Sequence, residues 1–158
     1  MAIKTLVDLF IHDLSDIYSA EKQITRALPK MARAATDKTL KAAFEAHLEE
    51  TRGQIERIDQ LVEKTEEVRI RRMKCHALEG LVEEAQEIID EVEAGPVRDA
   101  GLIGAAQKVE HYEIAAYGTL AAMAKKLGFD EAAKLLVETL NEEKATDEKL
   151  NVIAEKTS

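Results

Sequence analysis

Glu21 interrupts the apolar run Leu14, Ile17, Ile24, Leu28, Met31, and Glu113 interrupts the run Ala106, Val109, Ala116, Leu120, Met123. Steps of three and four put each set on one helical face. A carboxylate in the middle of such a face leaves water when the face is buried, and an unpaired charge there is very costly. It needs a cation, a proton or a hydrogen-bond donor. Other acidic and amide groups recur close by. Glu110 lies one turn before Glu113, near Ile103, Ala106 and Tyr117. The stripe Leu40, Phe44, His47, Leu48, Thr51, Gln54, Ile55, Ile58, Leu61 is polar in its middle, and the same stretch offers Glu50. Glu143 and Asp147 share the face of Leu136, Leu140 and Leu150, with Glu142 and Thr146 beside them.

The chemistry that suits this set is the binding of divalent metal. Two adjacent cations are neutralised by bridging and terminal carboxylates, and imidazole tunes a redox ion. Helical bundles that do this take a Glu from each of two helices and a Glu-x-x-His pair from each of the other two. That pair is missing here: Gly53 stands three after Glu50, and Thr146 three after Glu143. Gln54 and Asp147 stand one place later, still on the same face. The candidates are Glu21, Glu50, Gln54, Glu113, Glu143 and Asp147, with Glu110 as an extra member. Such oxygen-rich ligands favour Fe, Mn, Mg or Ca over Zn. The competing account is a hydrogen-bonded polar layer without metal, which would set helix register and pairing. Tyr18, Tyr112 and Tyr117 would donate to the carboxylates, and Lys22 or Arg26 would reach in from an edge. His47 faces inward, where a histidine is more often a satisfied core residue than a ligand. His12 and His111 fall on polar faces. Cys75 has no CxxC partner and reads as a packed thiol. The chain has no Gly-rich phosphate loop, no GxSxG and no basic patch interleaved with aromatics.

The elements that must position these groups are helices. The first starts near Thr5, where Thr5 and Asp8 form a capping-box-like pair, and continues to about Ala35 with a kink at Pro29. Thr36-Asp37 caps a second helix over about 38–64. Residues 64–72 read as a charged, solvated loop, followed by a shorter helix over about 73–92. Gly95-Pro96 ends it. A long helix spans about 97–127, Gly128 supplies its C′ position, and Asp130 caps a last helix over about 131–155. Shifting the chain by about 92 positions lays the first hairpin on the second, bringing Glu21 onto Glu113 and Glu50 onto Glu142.

Composition agrees. The chain has 158 residues, enough for a core without disulfides. Two Pro and seven Gly leave long helices uninterrupted, and with no Trp and 4% aromatics the core is built from aliphatic side chains. One cysteine fits a reducing, cytoplasmic setting. The first residues do not read as a secretory signal, and no apolar run approaches the roughly 20 residues that span a bilayer. A net charge of −9 argues against nucleic acid as a partner.

Four stretches carry a family resemblance: Asp16-Ile-Tyr-Ser-Ala-Glu-Lys-Gln23, His47-Leu-Glu-Glu-Thr-Arg-Gly-Gln54, Val109-Glu-His-Tyr-Glu-Ile-Ala-Ala-Tyr117 and Asn141-Glu-Glu-Lys-Ala-Thr-Asp147. The chain resembles the YciE/YciF family of ferritin-like bacterial stress proteins across about residues 1–155. The resemblance implies a rubrerythrin- or ferritin-like bundle, usually a homodimer, with a metal site at Glu21, Glu50, Gln54, Glu110, Glu113, Glu143 and Asp147. The missing Glu-x-x-His pairs depart from true di-iron ferritins and rubrerythrins and weigh against ferroxidase or peroxidase activity.

The expectation is therefore an all-α, ferritin-like four-helix bundle with one long crossover carrying a short fifth helix. Its parts are a hairpin over 5–64, a crossover over 65–96 and a hairpin over 97–155. The expected function is a stress protein holding two divalent ions, Fe or Mn, whose open positions would handle oxygen or peroxide. It would be a cytoplasmic homodimer, with the crossover contributing to the contact, and with neither nucleic acid nor membrane as partner. The alternative is a non-catalytic helical dimer whose buried polar layer is structural and which acts through a protein partner.

Overall fold

The computed structural model describes residues 2–157. It contains five helices: α1 Leu6–Ala34, α2 Lys38–Lys64, α3 His76–Glu91, α4 Pro96–Lys126 and α5 Asp130–Thr157. No strand occurs among the described residues. α1 starts on a reciprocal cap: the Thr5 hydroxyl accepts from the Asp8 N–H at 3.1 Å, and the Asp8 carboxylate accepts from the Thr5 N–H at 3.2 Å. α1 runs through Pro29 without a break. α4 ends on Gly128, at φ +77°, with Phe129 N–H bonded to Ala124 O and Gly128 N–H to Lys125 O. This double bond pattern satisfies the last carbonyls, and only glycine enters the left-handed region without steric cost. Phe129 then packs edge-on against Phe10.

Two expectations need correction. The short helix begins at His76, not near 73, because Cys75 is its cap: the thiol sulfur accepts from the Leu78 N–H at 3.4 Å. The stretch before it is not a solvated loop. Val68 is buried, Arg71 N–H donates to the Ser15 hydroxyl at 2.8 Å, and Cys75 N–H donates to Ser19 at 3.0 Å. Polar side chains of α1 thus tie down an extended backbone that has no ladder of its own.

The connectivity follows from which residues meet. Residues 65–75 and α3 run alongside α1, which carries the chain back along the bundle before α4 begins. The buried Asp99 of α4 then accepts from the N–H groups of Thr36 and Asp37, both at 2.8 Å, locking the start of α4 to the α1–α2 link. α1 and α4 are antiparallel, and so are α2 and α5, as in ferritin-like bundles with one long crossover. Each long helix packs on two of the others, α1 on α2 and α4, α5 on α4 and α2. Phe10, Leu14, Phe44, Leu102, Leu120 and Leu136 fill the layers of the core. Each such side chain contributes roughly 1.5–3 kcal/mol by leaving water. At the α3–α4 crossing, a Cβ on Gly101 would lie 2.8 Å from Ile88 Cγ2, so this glycine permits close approach. No helix among the described residues is long and apolar enough to cross a membrane.

Candidate metal centre

Between the apolar layers lies one polar layer. Glu21 comes from α1, His47 and Gln54 from α2, Glu110 and Glu113 from α4, and Glu143 from α5. All are buried; Glu21, Gln54, Glu110, Glu113 and Glu143 are 0% exposed. The local cause is helical spacing. Glu110 and Glu113, three apart, leave α4 on one face, and Tyr117 follows one turn on. His47 and Gln54 are two turns apart on α2, on the face of Phe44, Thr51 and Ile58.

Ligand atoms of His47, Glu110, Glu113 and Glu143 all lie within 4.8 Å of one another. An ion with ligands at about 2.1–2.4 Å spans about 4.2–4.8 Å across its shell, so the set has the size of one coordination sphere. His47 Nε2 lies 2.8 Å from Glu110 Oε1, close enough for an ion pair when the imidazole is protonated, but the contact is not a hydrogen bond. Nine buried side-chain atoms among the described residues lack a partner, and all belong to Glu21, His47, Gln54, Glu110, Glu113 and Glu143. Unsatisfied buried groups are rare and costly. They are confined to one layer, all but His47 Nε2 being acceptors, and such a set could hold a cation.

Two neighbouring groups hold the layer in place. Tyr117 Oη donates to Glu21 Oε2 at 2.9 Å. On the α2–α5 seam, Arg57 forms a forked pair with Glu142, and Gln54 Nε2 donates to Glu142 Oε1 at 3.1 Å. That donation fixes the amide so that Gln54 Oε1 faces the interior. Burial and then the adjoining carboxylates shift the acids. Glu21 is pushed up to about 7 and Glu110 to about 8, in each case by burial first. Glu113 and Glu143 are held well above the ordinary carboxylate range, by burial and then by their acidic neighbours. Burial and the charge of Glu21 likewise raise the Tyr117 phenol. Without a metal the layer therefore holds protons near neutral pH.

Of the residues expected at the site, the structure brings together Glu21, Gln54, Glu110, Glu113 and Glu143. It does not bring in Glu50 or Asp147. Glu50 is half-buried and sits 3.3–3.4 Å from the Thr146 hydroxyl. Asp147 is bonded outward, to His111 and Gln107. The reason is register. The uniform shift of about 92 would pair Gln54 with Thr146, but the inward carboxylate is Glu143, one turn earlier. The frame that Glu-x-x-His would fill is Gln54-x-x-Arg57 on α2 and Glu143-x-x-Thr146 on α5, and Arg57 and Thr146 bind Glu142 and Glu50 instead. His47 is the residue sequence reasoning undervalued: its Nε2 is not satisfied. The signal was its place on the polar middle of the α2 stripe. Of the three tyrosines, only Tyr117 serves the layer. Tyr18 donates to Asp59 at 2.8 Å, and Tyr112 donates to Asp16 at 3.0 Å and meets Cys75.

Residues 5–158 match the family described as "Domain of unknown function (DUF892)". The chain is 65% identical over 154 residues to Protein YciF of Escherichia coli (strain K12), covering 98% of this chain and 93% of that protein. It superposes on the crystal structure of the E. coli stress protein YciF with a TM-score of 0.97, at 64% identity and 98% coverage of both chains. YcfI from Rhodopseudomonas palustris gives a TM-score of 0.90, at 49% identity and 94% coverage of both. The chain belongs to the DUF892 family and to its YciE/YciF group.

Proposed function

We propose that this protein is a ferritin-like stress-response protein that binds one or two divalent cations, iron or manganese, inside its bundle. The observation that carries the proposal is the convergence of unpartnered ligand atoms of His47, Glu110, Glu113 and Glu143. The convergent set has the size of one coordination sphere, and charge leaves room for a second ion. Fully ionised, Glu21, Glu110, Glu113 and Glu143 carry four negative charges, which two divalent cations balance. The near-complete set of oxygen donors, with one imidazole, suits iron or manganese better than zinc. The description of E. coli YciF as a stress protein supports the physiological setting. A homodimer belongs to the same proposal and is read by sedimentation.

His47, Glu110, Glu113 and Glu143 would hold the ions, with Glu21 and Gln54 Oε1 completing the shell. Such ions supply a Lewis acid and an electron source for dioxygen or hydrogen peroxide. The chain's own groups orient and insulate. Tyr117 steers Glu21, Arg57 acting through Glu142 steers Gln54, and the apolar layers keep bulk water out. The test is anaerobic calorimetric titration of metal-free protein with Fe(II) or Mn(II). Stoichiometric binding with proton release is expected, because the carboxyls must ionise to bind. Absence of binding heat together with an unchanged thermal midpoint would contradict the proposal.

A further inference from the structure

The centre is enclosed by four helices, so an ion must have a way in. The α2–α5 seam differs along its length. At one end the Arg57–Glu142 pair, with Thr139, closes it. At the other, a surface groove of about 610 Å³ runs between the small side chains Ala42, Ala43 and Ala46 of α2 and Val152 of α5. Ala43, Ala46 and Lys149 of that groove also line a small inner cavity, which continues to Glu50, Thr146 and His47. His47 is 4% exposed, its Nε2 lies 2.8 Å from Glu110 Oε1, and it is part of the convergent set. Groove and inner cavity share Ala43, Ala46 and Lys149, and the inner cavity, walled also by Phe44 and Leu150, is lined by both Glu50 and His47.

The inner cavity measures about 10 Å³, room for roughly one water. A hydrated divalent ion cannot pass it intact and must exchange water for protein oxygen. Glu50 and the Thr146 hydroxyl supply that oxygen. Their contact at 3.3–3.4 Å is long, and one hydroxyl proton serves both carboxylate oxygens, so the Glu50 carboxylate keeps acceptor capacity for an ion.

We propose that the α2–α5 seam is the entry route for a divalent cation, and that Glu50 is the transit carboxylate that receives the ion before it reaches His47. The proposal rests on the metal-binding function above. It gives a role to a carboxylate that lies outside the convergent set. Lys149 lines the same passage and opposes the incoming charge, so the two residues have opposite effects on rate.

The experiment is stopped-flow tyrosine fluorescence on metal-free full-length protein mixed with Co(II) or Mn(II), paired with equilibrium titration of the same samples. The chain has three Tyr and no Trp, and Tyr117 reports on Glu21. Glu50→Gln is expected to slow loading about 10-fold, and Lys149→Ala to speed it about 3-fold, as expected for removing charges that steer an ion. Both variants keep the wild-type stoichiometry and an affinity within about 2-fold. Loading of Glu50→Gln at the wild-type rate overturns the entry route. A loss of equilibrium affinity in Glu50→Gln beyond about 10-fold makes Glu50 a ligand and also overturns it. Failure of the wild type to bind at equilibrium removes the metal-binding function itself, which separates the two failures.

Discussion

Glu142 and Glu143 leave α5 from adjacent positions, one toward the α2–α5 seam and one into the centre. On the seam, Arg57 forks onto Glu142 and Gln54 adds an amide donor. The guanidinium holds Glu142 below the usual carboxylate range. In the centre, the close neighbour of Glu143 is another acid, Glu110, and burial with that neighbour holds the group well above it. The chain has a guanidinium one helix away and uses it outside the layer rather than inside. Arginine therefore stabilises the wall, while the interior is left anionic in potential and uncharged only by protonation. A purely structural polar layer would be expected to satisfy its own members. This one satisfies its surroundings and leaves its six core residues with open positions.

That contrast predicts opposite responses to pH, and this is the largest effect expected. In the centre, the folded protein binds more protons than the unfolded chain between the ordinary glutamate value and the raised ones. Metal-free stability therefore falls as pH rises from about 5 to about 8. Glu21 alone, moved from 4.5 to about 7, accounts for on the order of 3 kcal/mol. Saturating Mn(II) reverses the slope, since ionised carboxylates then have a cation. Glu142 behaves the other way. Its contribution is present above about pH 4.5 and is lost as pH falls through its lowered folded value. Thermal melts across pH 4–8, with and without Mn(II), measure both signs.

Glu113→Gln comes next. It removes one buried ionisable group and one ligand while keeping shape. The metal-free protein is expected to melt higher at pH 7.5, because an amide is neutral without the proton that Glu113 must take up on folding at that pH. Mn(II) affinity is expected to fall about 100-fold or more, beyond the 10–100-fold typical of residues behind a ligand. A metal-independent polar layer would give the first result without the second.

Arg57→Met sharpens the other side. The pair is partly exposed, so its loss costs only about 1 kcal/mol. It also releases Glu142 and with it the Gln54 amide, so Mn(II) affinity is expected to fall about 10-fold. The smallest effect concerns packing away from both regions. Gly101→Ala pushes a methyl against Ile88, a branched side chain with little freedom, and lowers the melting point by a few degrees without changing metal affinity. Equilibrium titration and thermal melts of these variants read all of these outcomes.

The fold was readable in the chain because its punctuation is local. Thr5 with Asp8, Asp37, Gly95-Pro96 and Gly128 each act within one turn, and the helix ends fall within a few residues of where they point. Glu21 and Glu113 were legible for the same reason: an apolar period contains its own exception. The second helices were harder. Glu50 and Gln54 lie four apart on one stripe, and which of them faces the centre depends on how α2 crosses α5. That register is a property of two helices, and the period of one does not contain it. The same limit misplaced Asp147, which turns to His111, and undervalued His47, whose nitrogen meets Glu110 only through the way α2 faces α4 across the bundle. Cys75 as a helix cap was missed because a thiol is an uncommon cap.

The central claim is that the unpartnered atoms of this layer are the ligands of a metal. Its most direct test is an anomalous difference map, measured at the manganese edge, from crystals grown from protein saturated with Mn(II). One or two strong peaks are predicted among Glu21, His47, Glu110, Glu113 and Glu143, with carboxylate oxygens at about 2.1–2.4 Å. A map with no peak in that layer, with manganese found only at surface carboxylates, would contradict it.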